Sequence, residues 1–581
     1  MDCASVCVHD RVHSGNVFRP ETKEGDGKQM TATQSQHTLT ISDDHQHLIL
    51  KTTYEALHCA KAAPGNWVKD KKVWIYPASV DVIDTLKKAY YDANKMLIAQ
   101  TNELYFWAKE TREREEESQA LKIRDDLPAI PITKYTAWNH QLQAYHFCYG
   151  LKSAFLHMHM GTGKTKVVID LILNRPHFIE KILILCPKSV IPVWEAECEK
   201  HCPDSSYLVA IPLIGTSKQK MAILNSETFG GTECIVTNFE SMLTLDIRKR
   251  LNEIDFDLCI IDESHRIKSP SGKISKFIAT LGQGIEYKMC LTGTPMPKSP
   301  LDIYAQFRFL DPGIYGTSYV RFRDKYAYLD HFNQPYSYHD MDDLREKMER
   351  ITYHAGPEVL DLPDITEQTR YFNMDSVNYN KYHAVMDTFF SKVAEDSQVT
   401  VEYAITAMLR GQQITGGFVK DDNGVLQTLH RDKIALLKDT LEDIGPDEPV
   451  VIFCRFIRDI ELLGGAILEP VSYLHGRANG VSDWQNGDTR ILIAQIQSGS
   501  VGIDLTRAAY AIYYTLDWNL GNYEQSRARI HRPGQDRSCT LIHLAALGPD
   551  NQSTIDGEII TALSKREDFI KKVLAGEINR G

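Results

Sequence analysis

Between about residues 130 and 310, short apolar runs recur along the chain: Ile182-Leu183-Ile184-Leu185, Cys234-Ile235-Val236, Leu258-Cys259-Ile260-Ile261 and Met289-Cys290-Leu291. Longer stretches with helical spacing separate them, and strand alternating with helix predicts a parallel sheet covered on both faces. A second series begins near residue 430 with Val450-Val451-Ile452-Phe453, Val471-Ser472-Tyr473-Leu474, Ile491-Leu492-Ile493-Ala494, Ala511-Ile512-Tyr513-Tyr514 and Thr540-Leu541-Ile542-His543. The pattern therefore predicts an α/β protein with two parallel-sheet lobes, 129–310 and 429–548, flanking a mostly helical insertion and inter-lobe linker over 311–428. Residues 1–45 are polar and without sustained period, which predicts a mobile tail, and 46–90 mix strand-like and helical pieces into a small α+β module. A helical linker over 91–128 and a C-terminal helical tail over 549–581 complete the expected organisation. The run Arg112-Glu113-Arg114-Glu115-Glu116-Glu117 in that linker reads as a solvated helix face.

Composition narrows the classes. A chain of 581 residues with 43% hydrophobic content suits several soluble domains, and its net charge of −12 excludes a protein coated in basic surface. Any nucleic-acid contact must then come from a local groove. The 12 cysteines sit mostly inside apolar runs, as buried reduced thiols do. Cys198 and Cys202 flank His201, but no second pair lies at zinc-site spacing. No apolar span or signal core occurs, and a cytoplasmic location is expected: nucleoid-associated, or host cytoplasm for a phage protein.

Chemistry enters with His159-Met160-Gly161-Thr162-Gly163-Lys164-Thr165, followed about a hundred residues later by Ile261-Asp262-Glu263-Ser264-His265. Main-chain N–H groups of a glycine-containing loop can converge on phosphate oxygens, and a helix starting near Lys164 adds its positive end. Gly161, Thr162, Gly163, Lys164 and Thr165 are the candidate ATP-binding residues. Thr165 and Asp262 are placed to hold Mg²⁺, and Glu263 to orient or deprotonate the attacking water. Met158 stands where the strict loop pattern has a glycine, but the acidic pair after an apolar strand carries the reading.

The order of motifs resembles the Swi/Snf-type branch of superfamily-two helicase-like ATPases, over roughly residues 130 to 545. Asn139-His140-Gln141-Leu142-Gln143 resembles the segment in which Gln141 would read adenine. Pro187, in Cys186-Pro187-Lys188-Ser189-Val190, and Thr237, in Val236-Thr237-Asn238-Phe239-Glu240, fall in motifs that the resemblance places along DNA. Thr292, Gly293 and Thr294, in Leu291-Thr292-Gly293-Thr294-Pro295-Met296, match the motif linking hydrolysis to DNA contact. Ser498, Gly499 and Gly502, in Gln497-Ser498-Gly499-Ser500-Val501-Gly502, and Trp518 resemble the second lobe's DNA-facing elements. Gln525-Ser526-Arg527-Ala528-Arg529-Ile530-His531-Arg532-Pro533-Gly534-Gln535 is close to the family's terminal motif, in which Arg529 and Arg532 would reach across to ATP. Three apart, they would share one helix face, and a guanidinium suits phosphoryl oxygens. Ser264 replaces the commoner alanine of the acidic motif without consequence, and Tyr353-His354 stands where basic residues usually open the linker.

The resemblance implies two RecA-like lobes, ATP and Mg²⁺ as ligands, and an ATP-dependent translocase on duplex or branched DNA, of bacterial or phage type, serving repair or recombination. A single-strand or RNA-dependent helicase and an ATP-gated DNA clamp are the alternatives. The 46–90 module is similar, more loosely, to the HARP-type accessory domain of annealing helicases. Its Trp67, Lys71, Lys72 and Trp74 combine cations and aromatics suited to phosphates and exposed bases. Alternating aromatics equally suit a strand's buried face.

Overall fold

The computed structural model describes residues 37–565 except 44, 64, 94, 96, 100–101, 176–178, 204–207, 227–231, 298, 396–408, 421–424, 477, 498–502, 517–518 and 564. Of the expected tail over 1–45, residues 1–36 lie outside this set, as do 566–581.

The apolar runs of the first lobe become strands buried along nearly their whole length, as in Leu258–Asp262, Glu233–Asn238 and Lys181–Cys186. Strands that bury both faces must be covered on both, which is the condition of a parallel sheet with crossover helices. The seven strands run in the order Thr352–Ala355, Ser153–Met158, Tyr287–Thr292, Leu258–Asp262, Lys181–Cys186, Glu233–Asn238 and Val209–Pro212, all parallel. Alternate side chains feed opposite cores. Phe155, Leu183, Leu185, Cys259 and Ile261 belong to one cluster, and Leu156, Ile182, Ile184, Ile260 and Leu291 to the other. Each such side chain contributes roughly 1.5–3 kcal/mol of burial. The carboxyl ends of Ser153–Met158, Tyr287–Thr292 and Leu258–Asp262 lie side by side at one sheet edge, where an open α/β sheet presents its loops to ligands.

The second lobe repeats the plan. Its order is Ile365–Asn373, Cys539–Leu547, Tyr510–Tyr513, Val450–Cys454, Ile491–Gln495, Val471–His475 and Ala478–Asn479, with only the last strand antiparallel. The tail expected over 549–581 is part of this lobe as far as it is described. Residues 555–563 are helical, and Ile555, Ile559 and Leu563 are buried in the lobe's core. Asp556 there accepts from Lys433 Nζ at 2.8 Å and Thr415 Oγ1 at 3.0 Å, a buried ion pair with its second oxygen also bonded.

The segment 311–428 holds more than the helices expected of it. It holds helices such as Tyr319–Tyr326, Met341–Glu349 and Ser376–Glu395, but also the hairpins Ala327–Leu329 with Pro335–Tyr338 and Phe418–Lys420 with Leu426–Thr428. It also supplies an edge strand to each lobe. Thr352–Ala355 pairs with Ser153–Met158 of the first, and Ile365–Asn373 with Cys539–Leu547 of the second. The polar Ile365–Asn373 lacks an apolar run because an edge strand is only partly covered.

The N-terminal module is also larger than its sequence pattern. Thr38–Ile41, placed in the expected tail, pairs with His47–Lys51, and the sheet continues to Val73–Pro77 and Asn66–Val68 on one side and Ile98–Ala99 on the other. Four residues of strand are too short to show a period. Helices Val80–Asp92 and Asn102–Leu121 close the module, with Ile83, Leu86, Leu104 and Ala108 in its core. The charged run is only partly the solvated face expected. Glu113, Glu116 and Glu117 are exposed, whereas Glu115 is half-buried and accepts from Arg350 Nη2 at 2.6 Å.

Candidate functional site

The phosphate-loop candidate lies between strand Ser153–Met158 and helix Lys164–Leu173. Gly161 and Gly163 both have φ of +83°, which side-chain-bearing residues rarely adopt. Thr162, fully buried, donates from Oγ1 to the His159 carbonyl at 2.6 Å. Its own carbonyl accepts from Gln141 Nε2 at 3.0 Å and meets His140 Nε2 at 2.9 Å. Gln141 Oε1 in turn accepts the Trp138 N–H at 3.0 Å. The buried Gln141, expected to read a base, thus clamps the loop's backbone onto helix Asn139–Tyr149.

Lys164 Nζ donates to the Met158 carbonyl at 2.9 Å and the His159 carbonyl at 3.3 Å, which aims its charge into the loop. Burial lowers its pKa, against the pull of Glu263 and Asp262, so all three charges share one environment. Thr165 sits half-buried in the helix's first turn. Asp262 ends its strand with Oδ2 accepting from Trp194 Nε1 at 3.0 Å and Oδ1 from the Glu263 N–H at 2.9 Å. Burial raises its pKa and the Glu263 charge adds to that, a penalty that a dication would reverse. Among the described residues no cluster of three or more His, Cys, Asp or Glu could hold a metal. Mg²⁺ does not require one, since it keeps water and binds through one or two protein groups and phosphates. Thr165 and Asp262 therefore fit it.

Glu263 adopts φ 54°, ψ 51°, a left-handed conformation for a residue with a Cβ. Such strain persists where surroundings enforce it. Here Oε2 lies 3.3 Å from His265 Nδ1 and accepts from Thr292 Oγ1 at 3.4 Å. Burial raises the Glu263 pKa, but His265, Lys164 and Arg529 outweigh it, so the group is held as carboxylate. Thr292 Oγ1 also accepts the Thr294 N–H at 3.1 Å. The acidic motif and the Thr292-Gly293-Thr294 turn are thus one hydrogen-bonded unit. Ser264, expected to be inconsequential, extends it. Its Oγ donates to Gln306 Oε1 at 2.7 Å, and Gln306 Nε2 donates to the Pro295 carbonyl at 2.8 Å, all buried.

Arg529 reaches this unit from the second lobe's helix Leu520–Ile530. Burial lowers its pKa to about 10, with Arg532 adding and Glu263 opposing. Arg532 does not share a helix face with it, because the helix ends at Ile530 and His531 has left helical geometry. Pro533 keeps the helix from resuming, since it disfavours the helical region at Arg532. The two still converge. The position a Cβ would take at Gly161 is 3.6 Å from Arg532 Cβ and 3.0 Å from Pro533 Cδ. Arg532 Nε is buried with no hydrogen-bond partner, a donor beside the phosphate loop that a phosphoryl oxygen would satisfy.

Two family models match the chain: the SNF2-related domain over residues 134–417 and the helicase conserved C-terminal domain over residues 432–534. The chain belongs to the Swi/Snf-type helicase-like ATPases. Among the relatives of this chain is an uncharacterized ATP-dependent helicase of Mycoplasma pneumoniae, 24% identical over 76% of the chain and 42% of its own length. A second is the DNA repair and recombination protein RDH54 of Saccharomyces cerevisiae, 21% identical over 66% of the chain and 45% of its own length. The chain thus spans less than half the length of these curated relatives. The SWI2/SNF2 ATPase core of Sulfolobus solfataricus, solved in complex with dsDNA, is 21% identical over 78% of this chain and 95% of its own, with a TM-score of 0.37.

The expected DNA contacts divide. Pro187, Thr237 and Thr292 are buried, so they cannot themselves lie against a duplex. Pro187 directly follows a covered strand and the next residue, Lys188, is exposed, whereas Thr237 lies inside its strand with Asn238 and Phe239 also buried. Thr237 Oγ1 instead donates to Ser241 Oγ at 3.0 Å, within a network joining Lys220 and Asn238. Gly293 and Thr294 line the inter-lobe cleft. Ser498, Gly499, Gly502 and Trp518 lie outside the described residues. Trp67 and Trp74 are cross-strand partners, ring centroids 5.9 Å apart, on a hairpin whose turn carries the exposed Lys71 and Lys72. Trp67 is 44% exposed, while Trp74 packs on the module's core.

Sequence reasoning passed over Gln306 and His157 entirely. Gln306 lies some forty residues from the Ser264 it serves, and no spacing rule joins them.

Proposed function

We propose that the chain hydrolyses ATP between its lobes and couples each cycle of closing and opening to movement along duplex or branched DNA. The observation that carries this is the second lobe's Arg532, seated against Gly161 with an unpaired buried Nε, while Arg529 shares the electrostatic environment of Glu263. Both arginines thereby depend on lobe closure, and a γ-phosphoryl group would be the ligand that favours the closed arrangement. Backbone N–H groups of the 161–164 loop and Lys164 bind the phosphates, Glu263 orients the attacking water as its base, and Arg529 and Arg532 stabilise charge on the transferring group. Mg²⁺ held by Thr165 and Asp262 would neutralise phosphate charge. Loss of the γ-phosphate releases the arginines and the lobes part. If both lobes grip one strand, alternate closing and opening moves the grip along it.

DNA as the track is supported by the relative named for DNA repair and recombination and by the exposed cationic and aromatic hairpin at Trp67, Lys71 and Lys72. The test is steady-state hydrolysis without nucleic acid and with single-stranded DNA, blunt duplex, forked duplex or RNA, using Lys164→Ala as control. Stimulation by duplex or fork is expected. Stimulation by RNA or single strands alone would overturn the duplex track, and no stimulation would overturn the translocase.

A further inference from the structure

Beside the hydrolytic unit, one row of polar side chains crosses the first lobe's sheet. Thr292, His157 and His354 are in register on three adjacent parallel strands, so their side chains share a face at the carboxyl edge. His157 Nδ1 and His354 Nδ1 are 2.7 Å apart. His354 Nε2 lies 2.7 Å from Glu349 Oε1, and His157 bonds to the Gly293 backbone, while burial, with His354 adding, lowers the His157 pKa well below the ordinary imidazole value. Three contacts then each need a hydrogen: His157 to Gly293, imidazole to imidazole, and His354 to Glu349. Two neutral rings carry only two. Burial disfavours charge on His157, and the two rings join the Gly293 turn to Glu349 as one run of side-chain contacts.

Glu349 and Arg350 are in turn fixed by the N-terminal module. Gln119 Nε2 donates to the carbonyls of Glu349 at 3.1 Å and Arg350 at 2.7 Å, and Lys122 Nζ to that of Glu349 at 2.8 Å. Arg350 pairs with Asp81 and with Glu115, one acid from each module helix. Just beyond His354 the chain crosses to the second lobe, where Ile365–Asn373 begins.

We infer that His157 and His354 are a positioning pair through which the inter-lobe linker, held by the N-terminal module, sets the Thr292-Gly293-Thr294 turn and couples lobe movement to hydrolysis. This rests on the translocase reading above. It gives His354 a role where the family's basic residues would open the linker. Charged and titratable groups facing the pair are Lys164 and His159 from the phosphate loop and Glu349 and Lys122 behind His354. Glu358, Glu524, Arg527 and His531 face it across the inter-lobe cavity of about 660 Å³.

The experiment measures kcat and KM for ATP on the whole chain, with and without duplex DNA, for wild type, His354→Leu and His354→Gln. His354→Leu is expected to lose about tenfold of the DNA-stimulated kcat and about two- to threefold of the basal kcat, with KM unchanged within twofold. His354→Gln, which keeps a hydrogen-bonding side chain, should restore part of both. An unchanged stimulation ratio in His354→Leu, or a His354→Gln no better than His354→Leu, would overturn the inference. A wild type that DNA does not stimulate would sink the translocase reading instead, and a basal kcat of His354→Leu equal to wild type would then overturn the pair.

Discussion

Replacing Gly163 with alanine adds a single methyl group to the phosphate loop. At φ +83° that methyl costs about 1–2 kcal/mol in backbone strain alone. It would also overlap the Gln141 amide nitrogen, which now donates to the Thr162 carbonyl at 3.0 Å. Gln141 must swing away, giving up that bond and the capping bond from Trp138, each contributing about 1 kcal/mol. Together these destabilise the present loop by about 3–4 kcal/mol. If only this loop binds phosphates well, ATP affinity should fall on the order of a hundredfold or more. Titration with a fluorescent ATP analogue, with circular dichroism confirming the fold, measures it. The double variant Gly163→Ala/Gln141→Ala loses the same two bonds and keeps the same strain, so it should bind within about threefold of Gly163→Ala. Binding by Gly163→Ala within threefold of wild type would refute the clamp, and a further tenfold loss in the double variant would show that Gln141 keeps its bonds beside the added methyl.

The remaining predictions concern the second lobe. Arg532→Ala removes the donor whose Nε is buried without a partner, so kcat should drop on the order of a thousandfold while the dissociation constant for ATP moves less than about fivefold. Equal losses in both, measured by single turnover and equilibrium titration, would assign Arg532 to ground-state binding instead. Burial, with Arg527 adding, lowers the His543 pKa to about 4. The folded lobe thus favours the neutral ring, so stability is present above the unfolded value near 6.5 and is lost as pH falls from there toward 4. The penalty saturates at about 3 kcal/mol. Melting temperatures of wild type and His543→Asn between those limits should diverge, with the variant less sensitive to acid, and parallel slopes would refute the assignment.

Much of the catalytic lobes was legible because their signals are local. A run of apolar residues that buries both strand faces, as at Leu258-Cys259-Ile260-Ile261, announces a parallel sheet without help from distant parts of the chain. Gly161, Gly163, Lys164, Asp262 and Glu263 are likewise readable, since a loop that binds phosphate needs particular backbone freedom and charge within a few residues. Where covering is partial, the signal fades. Thr38–Ile41 and the edge strand Ile365–Asn373 were hidden in polar sequence because only their pairing makes them strands.

What the chain's order alone determined, then, was the chemistry of each motif and the alternation that builds two lobes. Tertiary structure decided which side chains serve that chemistry from afar. It took Arg532 off the expected helix face yet brought it to Gly161, buried Thr237 away from any duplex, and turned Gln141 onto the loop's backbone. It also joined Ser264 to Gln306 and His157 to His354. These partnerships depend on sheet register and lobe closure, which place residues tens to hundreds of positions apart within hydrogen-bond reach. A periodicity of two or 3.6 positions carries no record of such a meeting.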